Sequence, residues 1–259
     1  MPHPPLKNKS SALFVERRSR RWHTDGMTAI QGARERARRE VTAAIKSEAR
    51  DRIAAEGAAQ LSLRAVSRNL GMASSALYRY FPSRDDLLTA LIIDAYNALG
   101  EAAEGPLVSG DPPESPAERW LAVCLSVREW ALDHPHEFAL IHGTPVPGYA
   151  APQETGGPGT RVPFALIAVT LDAHRSGALG PVPGGPPPPA VLAEAAALAA
   201  EHAPGLPAPS MAAVTAAWAQ LTGLVAFEVF GQYTHVIEES RAEFFAYTVR
   251  RMAAGIGLP

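Results

Sequence analysis

The sequence predicts an all-α protein, with a small helix-turn-helix head followed by a larger helical domain. Three observations predict it. Apolar residues recur at helical spacing along most of the chain, and no stretch keeps the strict alternation of a half-buried strand. Basic charge is gathered at the front: residues 1–88 carry 17 Lys and Arg against 9 Asp and Glu, a net +8, while residues 89–259 carry 7 against 17, a net −10. A basic front of this kind is expected to meet a polyanion.

With 47% hydrophobic and 19% charged residues in 259, the composition is that of a folded globular chain. The single cysteine, Cys124, excludes an intrachain disulfide and a cysteine-cluster metal site. No apolar run reaches the roughly 18 residues of a bilayer span. No apolar segment follows the first basic residues, so no secretory signal is expected and the cytoplasm is the expected address.

Residues 1–32 read as a disordered basic extension, with Pro2, Pro4, Pro5 and the run "RRSRR" at 17–21. Met27 offers a second possible start. The head is expected over 33–82. Val41, Ile45, Ala49 and Ile53 recur every four residues in its first helix, which Gly57 stops. A short helix follows from about Leu63 to Leu70, with Ser62 as N-cap and Gly71 just past its end. The next starts after Ser74 and ends before Pro82. Ser83-Arg84-Asp85-Asp86 forms a capping box that opens a connecting helix over 83–103. The Gly/Pro-rich "GPLVSGDPPESP" then marks the domain boundary.

In the rear domain, 115–259, Ser115-Pro116-Ala117-Glu118 opens a helix to about Leu132, and "PHEFALIH" forms another from Pro135. Residues 143–163 hold five Gly and five Pro and are expected to be one long loop. Helices at about 163–176 and 190–203 flank a Pro-rich loop. A long helix is expected from Ser210 to about Ile237, and a last one from Arg241 to about Ala254. These two are apolar around most of their circumference, which points to burial against a second copy of the chain.

The chemistry concentrates at 62–84. Two helices joined by "GMA" have helix-turn-helix spacing, in which the second helix enters the major groove. Ala73, Ser74 and Ser75 are small, so the backbone can approach closely. Arg79 is the candidate for a bidentate contact to guanine. Tyr78 and Tyr80 point to different sides of a helix, so at least one hydroxyl is free for a phosphate. Ser62 and Arg64 stand at a helix N-terminus that favours phosphate, and Arg64 could instead reach a base edge.

The stretch "LSLRAVSRNLGMASSALYRYFPSRDDLLTALI", 61–92, resembles the DNA-binding region of the TetR family of bacterial regulators. The Leu-Gly turn, the aromatic steps after Leu77 and the Ser-Arg-Asp-Asp-Leu-Leu opening carry the resemblance together. It implies that Tyr78, Tyr80 and Arg84 contact phosphate, while Arg64, Ser74, Ser75 and Arg79 meet bases or adjoining backbone. "WALDHPHEFALIHGTPVPGYAAP", 130–152, is similar to the Trp-His-Gly type of TetR C-terminal domain, with Trp130, His134 and Gly143 carrying the pattern. That resemblance implies a helical, dimer-forming, ligand-binding domain and a double-stranded, near-palindromic operator. Repression is the family expectation.

The candidate ligand site gathers Trp130, Phe138, His142, Tyr149 and Phe164 around the 143–163 loop. His134, His136 and His142 lack partners to complete a metal site, and "GGPGT" at 156–160 lacks the Lys and preceding strand of a phosphate loop, so no metal or cofactor is expected. Two other readings stay open. One is a small-molecule-binding helical protein without specific operator binding, which would bind operator and scrambled DNA equally. The other is a helical enzyme, for which no catalytic constellation is found.

Overall fold

The computed structural model describes residues 10–110, 113 and 115–259, with side chains from Gly32 onward. Among the described residues there is no strand. The helices are α1 (Ser10–Glu56), α2 (Leu63–Asn69), α3 (Ser74–Leu77), α4 (Arg84–Val108), α5 (Pro116–Asp133) and α6 (Pro135–His142). They continue with α7 (Gly156–Gly159), α8 (Arg161–Arg175), α9 (Pro189–His202), α10 (Ala208–Val229) and α11 (Arg241–Gly255).

The chain divides into two compact units. The first comprises residues up to Asp51 together with Ser62–Pro82; the second comprises Arg52–Leu61 and Ser83–Pro259. The boundary therefore falls at Pro82, before α4 rather than at the Gly/Pro segment after it. The connecting helix belongs to the rear unit because its apolar stripe packs there.

In the first unit, Ile45 and Ala49 of α1, Leu63 and Val66 of α2, Leu77 of α3 and Phe81 are all buried. The expected disorder over 1–32 is not seen from residue 10 onward. Residues 1–9 of that extension lie outside the described residues, and 10–32 continue α1 as helix. Proline is absent from Leu6 to Phe81 and the segment is rich in Ala, Arg and Glu, all strong helix formers.

The second unit is a bundle. Trp120, Cys124 and Val127 of α5, Leu166 and Val169 of α8, Met211, Val214 and Leu221 of α10, and Phe245 and Val249 of α11 form its core with Leu99 and Ala103 of α4. Arg161 locks α8 to α4. Its guanidinium donates to both Glu104 carboxylate oxygens, at 2.9 and 2.6 Å, and to the Asn97 carbonyl at 2.8 Å. Gly100 makes the room, since a Cβ there would lie 2.6 Å from the Arg161 Cβ. Arg128 and Glu228 make a bidentate buried pair between α5 and α10, at 2.7 and 2.6 Å.

Several boundaries differ from expectation. α4 runs on to Val108 with Pro106 in its last turn, where the missing N–H forfeits one helical bond only. The 143–163 loop is helical from Gly156, because Val162, Ala165 and Leu166 face the core. α10 stops at Val229 rather than Ile237. Gly231 takes φ +72°, the Gln232 N–H bonds the Phe227 carbonyl at 2.8 Å, and the two residues form a left-handed helix stop. By length and composition alone, α10 also reaches what a membrane span needs, contrary to expectation.

Candidate functional site

The head presents a helix-turn-helix built by local chemistry. α2 ends on Gly71 at φ +64°, with the Met72 N–H bonded to the Ser67 carbonyl at 2.9 Å and the Gly71 N–H to the Arg68 carbonyl at 3.1 Å. This left-handed stop turns the chain into α3 and requires glycine at the turn. α3 is a single turn over Ser74–Leu77, shorter than expected. Arg79 and Tyr80 continue it through tighter i→i+3 bonds to Ala76 and Leu77. On the other side, the Asn69 side chain donates to Glu48 at 2.7 Å and ties α2 to α1.

Ser62, Arg64, Ala73, Ser74, Ser75, Tyr78 and Arg79 are all exposed, and Tyr80 is half-buried with the Arg38 guanidinium 5.7 Å from its ring centroid. Residues 62–82 hold three arginines and no acidic residue. Ser62 occupies the N-cap position of α2 without a side-chain capping bond, which leaves its hydroxyl available. Ser67 donates its one hydroxyl proton to the Arg64 carbonyl at 3.0 Å and lies 3.1 Å from the Ser74 hydroxyl. Ser74 must then be the donor in that contact, so its outward lone pairs act as acceptors.

Arg84 is placed differently from its implied phosphate role. Its Nε donates to the Leu61 carbonyl at 3.1 Å, and its Nη2 donates to the carbonyls of Ala58 and Ala59 at 3.0 and 3.2 Å. These donors staple the segment after α1, where helix-end carbonyls lack helical partners. Ser83 behaves as expected: its hydroxyl accepts from the Asp86 N–H at 3.1 Å and donates to the Asp86 carboxylate at 2.7 Å.

Two cavities of the rear unit bear on the ligand site. One, of about 530 Å³, lies between Ile53 and Gly57 at the end of α1, Ala139 and Leu140 of α6, Val146 and Phe230. The other, about 10 Å³, lies between Tyr96, Phe138, His142, Trp218 and Thr222 and has room for one water. The expected ligand residues do not converge on one cavity. Phe138 and His142 line the small one. Tyr149 bonds the Thr89 hydroxyl at 2.9 Å and fixes the loop from outside. Trp130 stacks on His134 at 4.9 Å, beside the core. Phe164 is 41% exposed and meets His202, because α8 turns its opposite side to the core. Burial lowers the His142 pKa to about 4, so the imidazole is neutral at pH 7. Tyr96 also has its pKa raised, by burial first and by Tyr149 second. Among the described residues, no cluster of three His, Cys, Asp or Glu stands close enough to hold a metal ion.

Residues 45–91 match the family described as bacterial regulatory proteins, tetR family, and residues 120–252 match the tetracyclin repressor-like C-terminal domain. An HTH-type transcriptional regulator of Mycobacterium tuberculosis is 37% identical over 209 residues, spanning 78% of this chain and 86% of the relative. The chain belongs to the TetR family. One from Mycobacterium bovis stands at the same identity and coverage. Among solved structures, the regulatory protein SCO4313 is 32% identical at a TM-score of 0.66, over 85% of this chain and 98% of its own. The TetR-family regulator PfmR from Thermus thermophilus, at 15% identity and a TM-score of 0.53 over 82% of this chain and 97% of its own, shares the fold. This TetR-family protein is accordingly a DNA-binding transcriptional regulator and not an enzyme. The matched C-terminal segment includes Trp130, His134 and Gly143, and Gly143 is sterically required: a Cβ there would lie 2.3 Å from the Ala139 carbonyl oxygen.

Sequence reasoning missed Arg38, Tyr96 and Thr222. Only Arg38 carries a signal, as part of the basic cluster Arg34, Arg36, Arg38 and Arg39.

Proposed function

We propose that this TetR-family regulator is a ligand-responsive repressor that acts in the cytoplasm as a homodimer on a near-palindromic operator. The observation that carries the reading is the exposed set Ser74, Ser75, Tyr78 and Arg79 on a helix-turn-helix whose 62–82 segment bears only positive charge. Arg79 and Ser74 read base edges; Ser62, Arg64, Ser75, Tyr78 and Tyr80 hold phosphate and backbone, with Ala73 allowing close approach. Arg84 serves this indirectly, by fixing the segment 58–61.

A second copy supports the reading from the rear unit. Phe227 and Tyr247 are 53% and 58% exposed on α10 and α11. Apolar surface of this extent is what a subunit interface covers. Two recognition helices would then meet half-sites about 34–36 Å apart or a multiple of that. The test is binding-site selection from genomic fragments, followed by titration of the selected duplex and a scrambled duplex. Equal affinity for both would instead favour the ligand-binding protein without an operator.

A further inference from the structure

We infer that the cavity of about 530 Å³ beside the 143–147 loop receives the effector, and that this effector is a neutral, mainly apolar small molecule. The inference rests on the ligand-responsive reading above and names the place and the chemistry that reading leaves open. The volume lies within the range that holds drug-sized ligands, whereas the inner cavity at Phe138 and His142 has room for about one water.

The lining contains no Asp, Glu, Lys or Arg. A charged ligand would give up part of its hydration there with no carboxylate, ammonium or guanidinium to replace it. Ile53, Ala139, Leu140, Val146 and Phe230 supply apolar contact, and His136 and Thr144 supply the only polar side chains. The walls are fixed independently of any ligand. Arg84 holds the carbonyls of Ala58, Ala59 and Leu61. The Tyr149 hydroxyl holds Thr89, and the Tyr96 hydroxyl donates to the Ile141 carbonyl at 3.3 Å. Gly143 cannot move off the end of α6 without losing its bond to the Ala139 carbonyl, 2.9 Å away. A space kept open by surrounding hydrogen bonds binds without a large ordering cost. Its inner limit is aromatic: the Phe230 ring lies 6.1 Å from Phe138, which lies 4.9 Å from His142.

The test uses the full chain and the neutral dye N-phenyl-1-naphthylamine, whose fluorescence rises in apolar surroundings. Competition with 1-naphthol and 1-naphthoate compares a neutral and an anionic ligand of similar size. The naphthol is expected to displace the dye at a concentration at least about tenfold lower. Ala54→Trp and Val146→Trp each place a ring in the cavity, and Ala54 is exposed, so the first adds its ring from the surface. Both are expected to weaken dye binding at least about tenfold, with an unchanged urea midpoint. Equal dye affinity in the wild type and both variants overturns the site, and equal displacement by naphthol and naphthoate overturns the ligand class. Operator affinity is measured separately with the selected duplex. Absence of any sequence preference there refutes the regulator reading while the cavity result stands. Operator binding that no cavity-bound ligand alters refutes the effector assignment alone.

Discussion

Breaking the Arg128–Glu228 pair from one side is expected to cost far more than removing it whole. The Glu228 side chain is 6% exposed and Arg128 13%, with two charge-assisted hydrogen bonds at 2.6 and 2.7 Å. The Arg128 guanidinium also lies 5.4 Å from the centre of the Phe245 ring, so one side chain of α5 touches both α10 and α11. Glu228→Leu leaves a buried guanidinium without its carboxylate, and Arg128→Met leaves a buried carboxylate without its guanidinium. Either loss is worth about 3–5 kcal/mol, a large part of the roughly 5–15 kcal/mol that holds a domain folded. The double variant Arg128→Met, Glu228→Leu removes both charges and both desolvation costs, and is expected within about 1–2 kcal/mol of wild type. Urea unfolding followed by circular dichroism at one fixed protein concentration reads all four proteins, because the proposed dimerisation would make stability depend on concentration. A double variant as unstable as the sum of the two singles would show that the pair contributes through packing alone, and the argument from buried charge would fail.

Three further outcomes are expected. Burial of His142 lowers its pKa from 6.5 to about 4, so the unfolded chain takes up a proton first; stability falls as pH drops from 6.5 towards 4, by at most about 3 kcal/mol, and His142→Gln flattens that slope in urea midpoints measured across the range. Arg84→Ala removes three bonds to main-chain carbonyls, so it is expected to lower the urea midpoint by the equivalent of about 1–3 kcal/mol; a variant of unchanged stability with weaker DNA binding would return Arg84 to a phosphate role. In site selection, Ser74→Ala is expected to relax a preference for a base with an exocyclic amino group, because the Ser74 hydroxyl offers acceptors outward, and Arg79→Ala a preference for guanine, each by about 1–3 kcal/mol; Tyr78→Phe is expected to weaken all sequences alike, and unaltered selection profiles in the first two variants would remove them from base contact.

The parts of this fold legible in the sequence are those set by residues near one another in the chain. The four-residue recurrence of Ile45, Ala49 and Ile53 marks the buried stripe of α1, and the Leu-Gly turn at 70–71 gives the bend into α3. The Ser83 N-cap forms, its hydroxyl accepting from the Asp86 N–H, whereas Ser115 and Ser240 stand at helix starts without side-chain capping bonds. What was illegible depends on distant segments. Arg84 reads as a surface cation until the carbonyls of Ala58, Ala59 and Leu61 are folded against it. Aromatic content alone does not distinguish Phe138, 1% exposed, from Phe164, 41% exposed; helical phase relative to Val162, Ala165 and Leu166 does. The glycines at 156–159 suggest a loop, yet a Cβ at Gly159 would already lie 3.6 Å from the Tyr96 ring, a proximity no local rule foresees.

Coupling between effector and operator carries a requirement that can be tested without knowing the natural ligand. The cavity touches Ile53 and Ala54 in the last turn of α1, and the same unbroken helix carries Ala49 and Ile45, one and two turns earlier, in the core of the head. A ligand against that last turn therefore acts on a helix whose backbone hydrogen bonds run on into the DNA-binding unit. Contact alone moves nothing: a ligand that binds the operator-bound and free forms equally leaves repression unchanged at any concentration. A release factor of about a hundred requires about 2.7 kcal/mol of preference for the free form, within the usual range of such couplings. Thermodynamic linkage then fixes the reverse effect. Saturating operator must weaken the dye by the same factor by which saturating dye weakens the operator. The two ratios are measured in one buffer, the first by dye fluorescence with and without selected duplex, the second by duplex anisotropy with and without dye. Ala54→Trp, which fills the cavity, is expected to abolish both while leaving operator affinity in the absence of dye within about twofold of wild type. A wild-type operator affinity that dye reduces, paired with a cavity dye affinity that operator leaves untouched, would mean that a second dye molecule bound outside the cavity releases the operator, and the proposed route through α1 would be abandoned.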